Sequence, residues 1–167
     1  SSVTRFNLRA CIEEAFRLVT LSHTGKQVDC RNQCDNRIEI QGDRQRLIQV
    51  FVNLLTNACD ASVPGGLVSV ETVIETDRVR IDIVDQGCGI PEPIQEQIFE
   101  PFFTTKEPGK GTGLGLPLVY SIVQDHGGSI QIESKPGRGT RFIIRLPLCD
   151  NAAETTVITD QPGVVSP

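Results

Sequence analysis

The sequence of 167 residues has no methionine, no tryptophan and a single tyrosine; none of these absences restricts the fold class. Other absences decide more. Lysine and arginine number 16 against 21 aspartates and glutamates, a formal net charge of −5, which counts against a nucleic-acid groove as the main function. No apolar run approaches the ~20 residues that span a bilayer, and residues 1–20 are not expected to act as a leader peptide. The expectation is a soluble, cytoplasmic piece with no direct membrane contact, although a longer chain could anchor it in the inner membrane. Cys11, Cys30, Cys34, Cys59, Cys88 and Cys149 lack framework spacing, and the close pair Cys30 and Cys34 has no second Cys/His pair to complete a metal site. Reduced thiols follow. No internal repeat occurs, and the length suits one domain with its own core.

What the sequence does contain centres on residues 99–120, FEPFFTTKEPGKGTGLGLPLVY. An aromatic segment enters a loop carrying Lys106 and Lys110, and Gly111, Gly113 and Gly115 then open an apolar run with helical character. Glycines let a backbone approach a ligand, and a helix start offers unpaired N–H groups and a positive dipole end, so phosphate is the first expectation. The string is not a P-loop, because no G-x-x-x-x-G-K-[ST] occurs, and its GxGxG spacing is not a dinucleotide fingerprint.

In chain order, residues 1–5 read as the end of an upstream linker, 6–149 as the domain and 150–167 as a disordered tail. Asn7 is placed to cap a helix over 8–20, with Leu8, Ile12, Ala15, Phe16 and Val19 on one face. Two short β candidates, 26–30 and 37–41, flank a polar turn at 32–36. Asp43 caps the longest helix, 44–62, which Pro64-Gly65-Gly66 stops. Alternating strands follow, with Val68, Val70, Thr72 and Ile74 on one face and then Val79, Ile81 and Ile83, joined near Thr76 and Asp77. A short helix is expected near 93–98 and another from Leu114 to His126, with Pro117 in its first turn. Ile130 and Ile132, then Thr140, Phe142, Ile144 and Leu146, mark a last hairpin around Pro136–Gly139. Helices that share one face of a sheet built from distant strands describe an α+β two-layer sandwich.

Chemistry concentrates in three places. On the long helix, Gln49, Asn53, Asn57 and Asp60 fall in a stripe of about 80° at ~100° per residue. The oxygens of Asn53, Asn57 and Asp60, at four- and three-residue spacing, could hold a hydrated Mg²⁺, although a solvated helix face would look the same. Asp85, at a strand end before Gly87 and Gly89, could accept a hydrogen bond from an exocyclic amine such as that of adenine; alone it reads equally as an Asp/Gly turn. The glycine loop would receive phosphates.

Together, NLLTNACDA (53–61), DQGCGIP (85–91), FEPFFTTK (99–106) and GTGLGL (111–116) resemble the asparagine, first glycine, phenylalanine and second glycine boxes of sensor histidine kinases. The chain is similar over about residues 5–148 to their catalytic ATP-binding domain, of the GHKL (Bergerat-fold) superfamily. The wording is most like that of kinases related to nitrogen and dicarboxylate sensing. The resemblance implies a mixed, mostly antiparallel sheet covered on one face by about three helices. It implies ATP and Mg²⁺ as ligands, with Asn57 and Asn53 as metal-holding residues and these two with Lys106 as the catalytic set. Asp85 would bind the adenine amine, with Gly87, Gly89, Ile90 and Thr140 around the base. Phe103, Thr105, Lys106, Lys110, Gly111, Thr112, Gly113, Leu114, Gly115 and Leu116 would form the lid and the phosphate loop. Many members carry a basic residue three places after the second Asn; here Asp60 stands there, kept among the nucleotide-binding candidates without a direct phosphate contact.

The resemblance also implies a γ-phosphate transfer to a histidine on an upstream dimerisation domain of the same polypeptide, a homodimeric full-length protein and, indirectly, a response regulator. Only His23 and His126 are present. His23 lacks the acidic neighbour of the family's acceptor box, and both are expected to be structural or surface residues. ATP-hydrolysing relatives place a Glu four residues before the metal Asn; here that residue is Asn53, which cannot take a proton from water, so slow ATP turnover is expected. A GHKL-type ATPase and a nucleotide-sensing interaction module are the competing classes. Residues 100–112 are expected to be mobile until nucleotide binds.

Overall fold

A computed structural model describes residues 2–22, 27–100 and 115–149. The tail 150–167, His23 and most of the lid lie outside the described residues. Strand β1 (Thr4–Asn7) leads straight into α1 (Leu8–Ser22), followed by β2 (Asp29–Gln33), β3 (Glu39–Gly42), α2 (Arg44–Ala61), β4 (Leu67–Ile74) and β5 (Arg78–Asp85). A single turn α3 (Glu92–Gln95), then α4 (Leu116–Asp125), β6 (Ser129–Lys135) and β7 (Gly139–Pro147), complete the described chain. The main sheet has the order β2-β4-β5-β7-β6, and β1 pairs with β3 in a separate two-stranded ribbon. Among the described residues only the β2–β4 pairing is parallel.

The helix starts have local causes. Asn7 Oδ1 accepts the Ala10 N–H at 2.9 Å, and Asp43 Oδ1 accepts that of Arg46 at 3.3 Å, so each side chain fills an orphan donor of its first turn. At the far end of α2, the Ser62 hydroxyl donates to the Ala58 carbonyl at 2.7 Å. Every third or fourth residue of α1 and α2 is buried: Leu8, Cys11, Ile12, Ala15 and Val19 in one, and Leu47, Val50, Phe51, Leu54, Leu55 and Ala58 in the other. The α2 face packs on Val70, Ile81, Ile83, Phe142 and Ile144 of the sheet, all within the same core. Truncating a side chain as enclosed as Leu54, 0% exposed, costs about 2–5 kcal/mol.

The opposite sheet face is closed by charge. Asp82, though only 5% exposed, takes bonds from Arg80 Nε at 2.8 Å and Arg141 Nη1 at 2.5 Å. Burial pushes its carboxyl upward, but the bonds and charges of Arg80 and Arg141 outweigh this and hold it below its usual value. Those arginine stems also cover a sheet face on which no helix lies among the described residues.

Four elements differ from the sequence reading. Thr4–Asn7 is a strand, partly within the segment read as linker, because its backbone finds β3 (Phe6 opposite Ile40) despite having no alternating apolar pattern. The first β candidate lies three residues further on, at Asp29–Gln33, and takes Asn32 and Gln33 into the ladder with β4 instead of a turn. The helix expected over 93–98 is a single turn, and the one expected from Leu114 begins at Leu116. All six cysteines are free thiols. Among the described residues no helix is long and apolar enough to cross a membrane.

Candidate functional site

Asp85 ends β5 in the middle of the sheet, opposite Val68 of β4 and Thr140 of β7. It is 6% exposed. Its Oδ1 accepts two backbone N–H groups, Gly87 at 2.8 Å and Thr140 at 3.3 Å. Oδ2 makes no hydrogen bond among the described residues. Burial raises the carboxyl above its ordinary value, and the two backbone donors offset part of that rise. One oxygen is therefore fixed by the fold, and the other is presented to whatever lies beyond it.

Beyond it lies a cavity of about 450 Å³, lined by Asn57, Asp60 and Ala61 of α2, by Asp85, Cys88, Gly89, Ile90, Pro91 and Ile94 of the following loop and turn, and by Thr140 and Phe142 of β7. Its size is that of a small-molecule site, and its walls are largely apolar around a few polar groups. The loop can run there only because two residues lack a Cβ. On Gly87 that atom would lie 2.5 Å from the Ala61 carbonyl oxygen, and on Gly89 2.2 Å from that of Lys135, where φ is also +72°. The chain thus threads between the last turn of α2 and the β6–β7 hairpin.

The loop is then held from the sheet side. The Ile90 N–H donates to Ser134 Oγ at 2.7 Å, and Gln95 Nε2 donates to the carbonyls of Ile90 at 2.7 Å and Ser134 at 3.0 Å. Gly137 N–H reaches the Cys88 carbonyl at 2.8 Å. The sequence reading passed over Ser134 and Gln95. A signal existed for Ser134: it continues the inward face of Ile130 and Ile132, where a polar side chain needs a partner.

Among the residues singled out in sequence, Asn57, Asp60, Asp85, Gly89, Ile90 and Thr140 converge on the cavity. Gly87 supports it from behind. Asn53, one turn before Asn57 on the same helix face, does not line the cavity: a Cβ on Gly115 would lie 3.0 Å from its Nδ2, so this amide rests against the start of α4. Gly115 is the N-cap of α4 with φ +65° and no side-chain cap, while the Leu116 side chain is fully buried in the core, so only its backbone is available to a ligand. Phe103, Thr105, Lys106, Lys110, Gly111, Thr112, Gly113 and Leu114 lie outside the described residues. No group of three His, Cys, Asp or Glu side chains that could hold a metal occurs among the described residues. Oxygen donors near the cavity on α2 come instead from Asn57 and Asp60.

A two-layer sandwich with a buried acid on its central strand, and a helix bearing polar groups across the cavity, is a class of domain built to take a small-molecule ligand between its layers. Residues 42–150 match the family described as histidine kinase-, DNA gyrase B-, and HSP90-like ATPase, and the chain belongs to that family. Among similar proteins, the signal transduction histidine-protein kinase AtoS of Escherichia coli (strain K12) is 39% identical over 151 residues, covering 89% of this chain and 24% of AtoS. The nucleotide-free catalytic domain of the histidine kinase ThkA superposes with a TM-score of 0.79 at 34% identity, covering 88% of this chain and 96% of that one. ThkA in complex with the response regulator protein TrrA gives a TM-score of 0.72 at 33% identity, over 87% of this chain and 41% of that one. The fold is thus that of histidine kinase catalytic domains, and the chain spans about a quarter of the length of AtoS.

Proposed function

We propose that this chain is the catalytic unit of a sensor histidine kinase: it binds Mg–ATP and passes the γ-phosphate to a histidine on an upstream helical dimerisation domain, from which a response regulator takes it. The observation that carries the reading is the Asp85 carboxylate, buried, pinned through Oδ1 and open through Oδ2 to a cavity of nucleotide-base size. Such a group accepts a hydrogen bond from the adenine amine and gives little to a base without one. Gly89, Ile90 and Thr140 shape the walls around the base, and Gly87 supports them from behind. Lys106, Lys110, Thr105 and Thr112 of the lid would add charge and hydrogen bonds over the phosphates, and the start of α4 its backbone amides.

Mg²⁺ would be held by the Asn57 amide oxygen, with Asn53 beside it. These donors fit an ion that takes oxygen ligands and keeps several waters. When bound, the ion neutralises charge on the phosphates. Asn53 occupies the place where hydrolysing relatives carry a general base, and its amide takes no proton. Alignment of a nucleophile from outside the chain, and not activation of water, is what this residue set does. The full-length protein would be a cytoplasmic or membrane-anchored homodimer.

The test mixes this chain with γ-labelled ATP, Mg²⁺ and the upstream helical domain. Acid-labile, base-stable label on that domain is expected, lost on Asn57→Ala. Rapid ATP hydrolysis by this chain alone would sink the kinase reading in favour of an ATPase, and nucleotide binding without transfer would favour a sensing module.

A further inference from the structure

Ser134 does not line the cavity. It stands behind Thr140, in a neighbouring groove of about 600 Å³ on the far side of the wall that Asp85 and Thr140 form between the two spaces. Its hydroxyl has three partners: the Ile90 N–H at 2.7 Å, the Gly139 carbonyl at 3.0 Å and Thr140 Oγ1 at 2.9 Å. A serine hydroxyl has one hydrogen and two lone pairs. The Ile90 amide can only donate, and the Gly139 carbonyl can only accept. The serine hydrogen therefore goes to Gly139, and its remaining lone pair receives the hydrogen of Thr140. Thr140 Oγ1 then has no hydrogen left for the cavity and shows it lone pairs alone.

We propose that Ser134 is a positioning residue of the base pocket: by taking the Thr140 hydrogen and the Ile90 amide at once, it sets the pocket edge to accept hydrogen bonds. Asp85 Oδ2 and Thr140 Oγ1 then form one continuous acceptor edge, suited to the exocyclic amine of a 6-aminopurine and to a water that donates beside it. The same oxygen fixes the width of the pocket, since Ile90 belongs to one wall and Thr140 to the other. Gln95 adds a second tie between the same two segments through Ile90 O and Ser134 O. This inference rests on the nucleotide reading above and adds to it the residue that tunes base recognition.

The experiment is calorimetric titration of the chain with ATP and, separately, with purine riboside triphosphate, which lacks the 6-amino group, both with Mg²⁺. Ser134→Ala is expected to weaken ATP binding about tenfold, the loss of a buried hydrogen-bond relay, and the des-amino nucleotide only about two- to threefold. Ser134→Thr keeps the hydroxyl and is expected to restore most of the discrimination. Thr140→Val removes the other end of the relay, and adding Ser134→Ala to it is expected to cost clearly less than the sum of the two single losses, because only the Ile90 tie then remains to be lost. Equal weakening of both nucleotides, or additive losses in the double variant, would overturn the proposal. If the unaltered chain binds neither nucleotide, the nucleotide reading fails first and this inference falls with it.

Discussion

His126 Nε2 accepts the backbone N–H of Asp43 at 3.0 Å, while its Nδ1 lies 2.7 Å from the Ile122 carbonyl oxygen. The Ile122 carbonyl must receive a hydrogen, so Nδ1 carries the proton and Nε2 is the acceptor. One imidazole thereby ties the end of α4 to the cap of α2, beside an Arg46–Asp125 ion pair at 2.8 Å that is too exposed to add much. The helix bearing Asn57 is thus held at its start from 83 residues away in sequence.

His126→Ala is expected to leave the Asp43 amide without its partner, at a cost of about 1–3 kcal/mol. At roughly 2–4 °C per kcal/mol for a chain of this size, the melting temperature falls by about 2–12 °C. Nucleotide affinity moves far less, because His126 does not line the cavity. Thermal melting and titration on the same preparation separate the two. An unchanged melting curve would remove the latch from the account of stability.

Asp85→Asn tests the base contact. The amide retains an oxygen for Gly87 and Thr140, but its other end becomes a donor facing the cavity. ATP affinity is expected to fall about ten- to a hundredfold, as for loss of a charge-assisted hydrogen bond. Retained affinity in calorimetry would show that the base is read elsewhere.

The two buried aspartates give opposite pH signatures. Burial raises Asp85 in the folded state above its unfolded value, so its contribution is complete at pH below the unfolded value and is lost as pH rises through the folded one. Asp82 runs the other way: Arg80 and Arg141 overcome the effect of burial, so its contribution is present above the unfolded value and is lost as pH falls through the folded one. Urea midpoints from neutral to acid pH should therefore show Asp85→Asn more stable than the parent at neutral pH and Asp82→Asn less stable. Both differences should shrink on acidification. The same sign for both variants would contradict the assignment.

Gly89→Ala places a methyl group 2.2 Å from the Lys135 carbonyl oxygen at a residue with φ +72°. Left-handed backbone alone costs about 1–3 kcal/mol for a non-glycine residue, and the contact adds to it. The 85–91 loop must shift away from β6, so ATP binding is expected to weaken more than tenfold while the helices stay folded by circular dichroism. Full affinity in this variant would mean that the loop is free to move without consequence for the cavity.

The sequence by itself determined every element whose cause is local. Periods of burial placed α1 and α2 within two residues of their ends, Asn7 and Asp43 announced their starts, and alternation drew the β4–β5 and β6–β7 hairpins. The four motif strings likewise carried the family, although the approaches that require Gly87 and Gly89 are to Ala61 and Lys135, distant in sequence. What only the tertiary structure decided is partnership between distant segments. Thr4–Asn7 has two exposed and two half-buried residues and no alternation, so nothing local marks it as the strand that pairs with β3. The parallel β2–β4 pairing is equally silent, since a ladder is made by backbone groups that every residue carries. Ser134 and His126 belong to the same class: a hydroxyl and an imidazole acquire direction only when Thr140, Ile90 and Asp43 arrive beside them, and no spacing within the chain encodes that arrival.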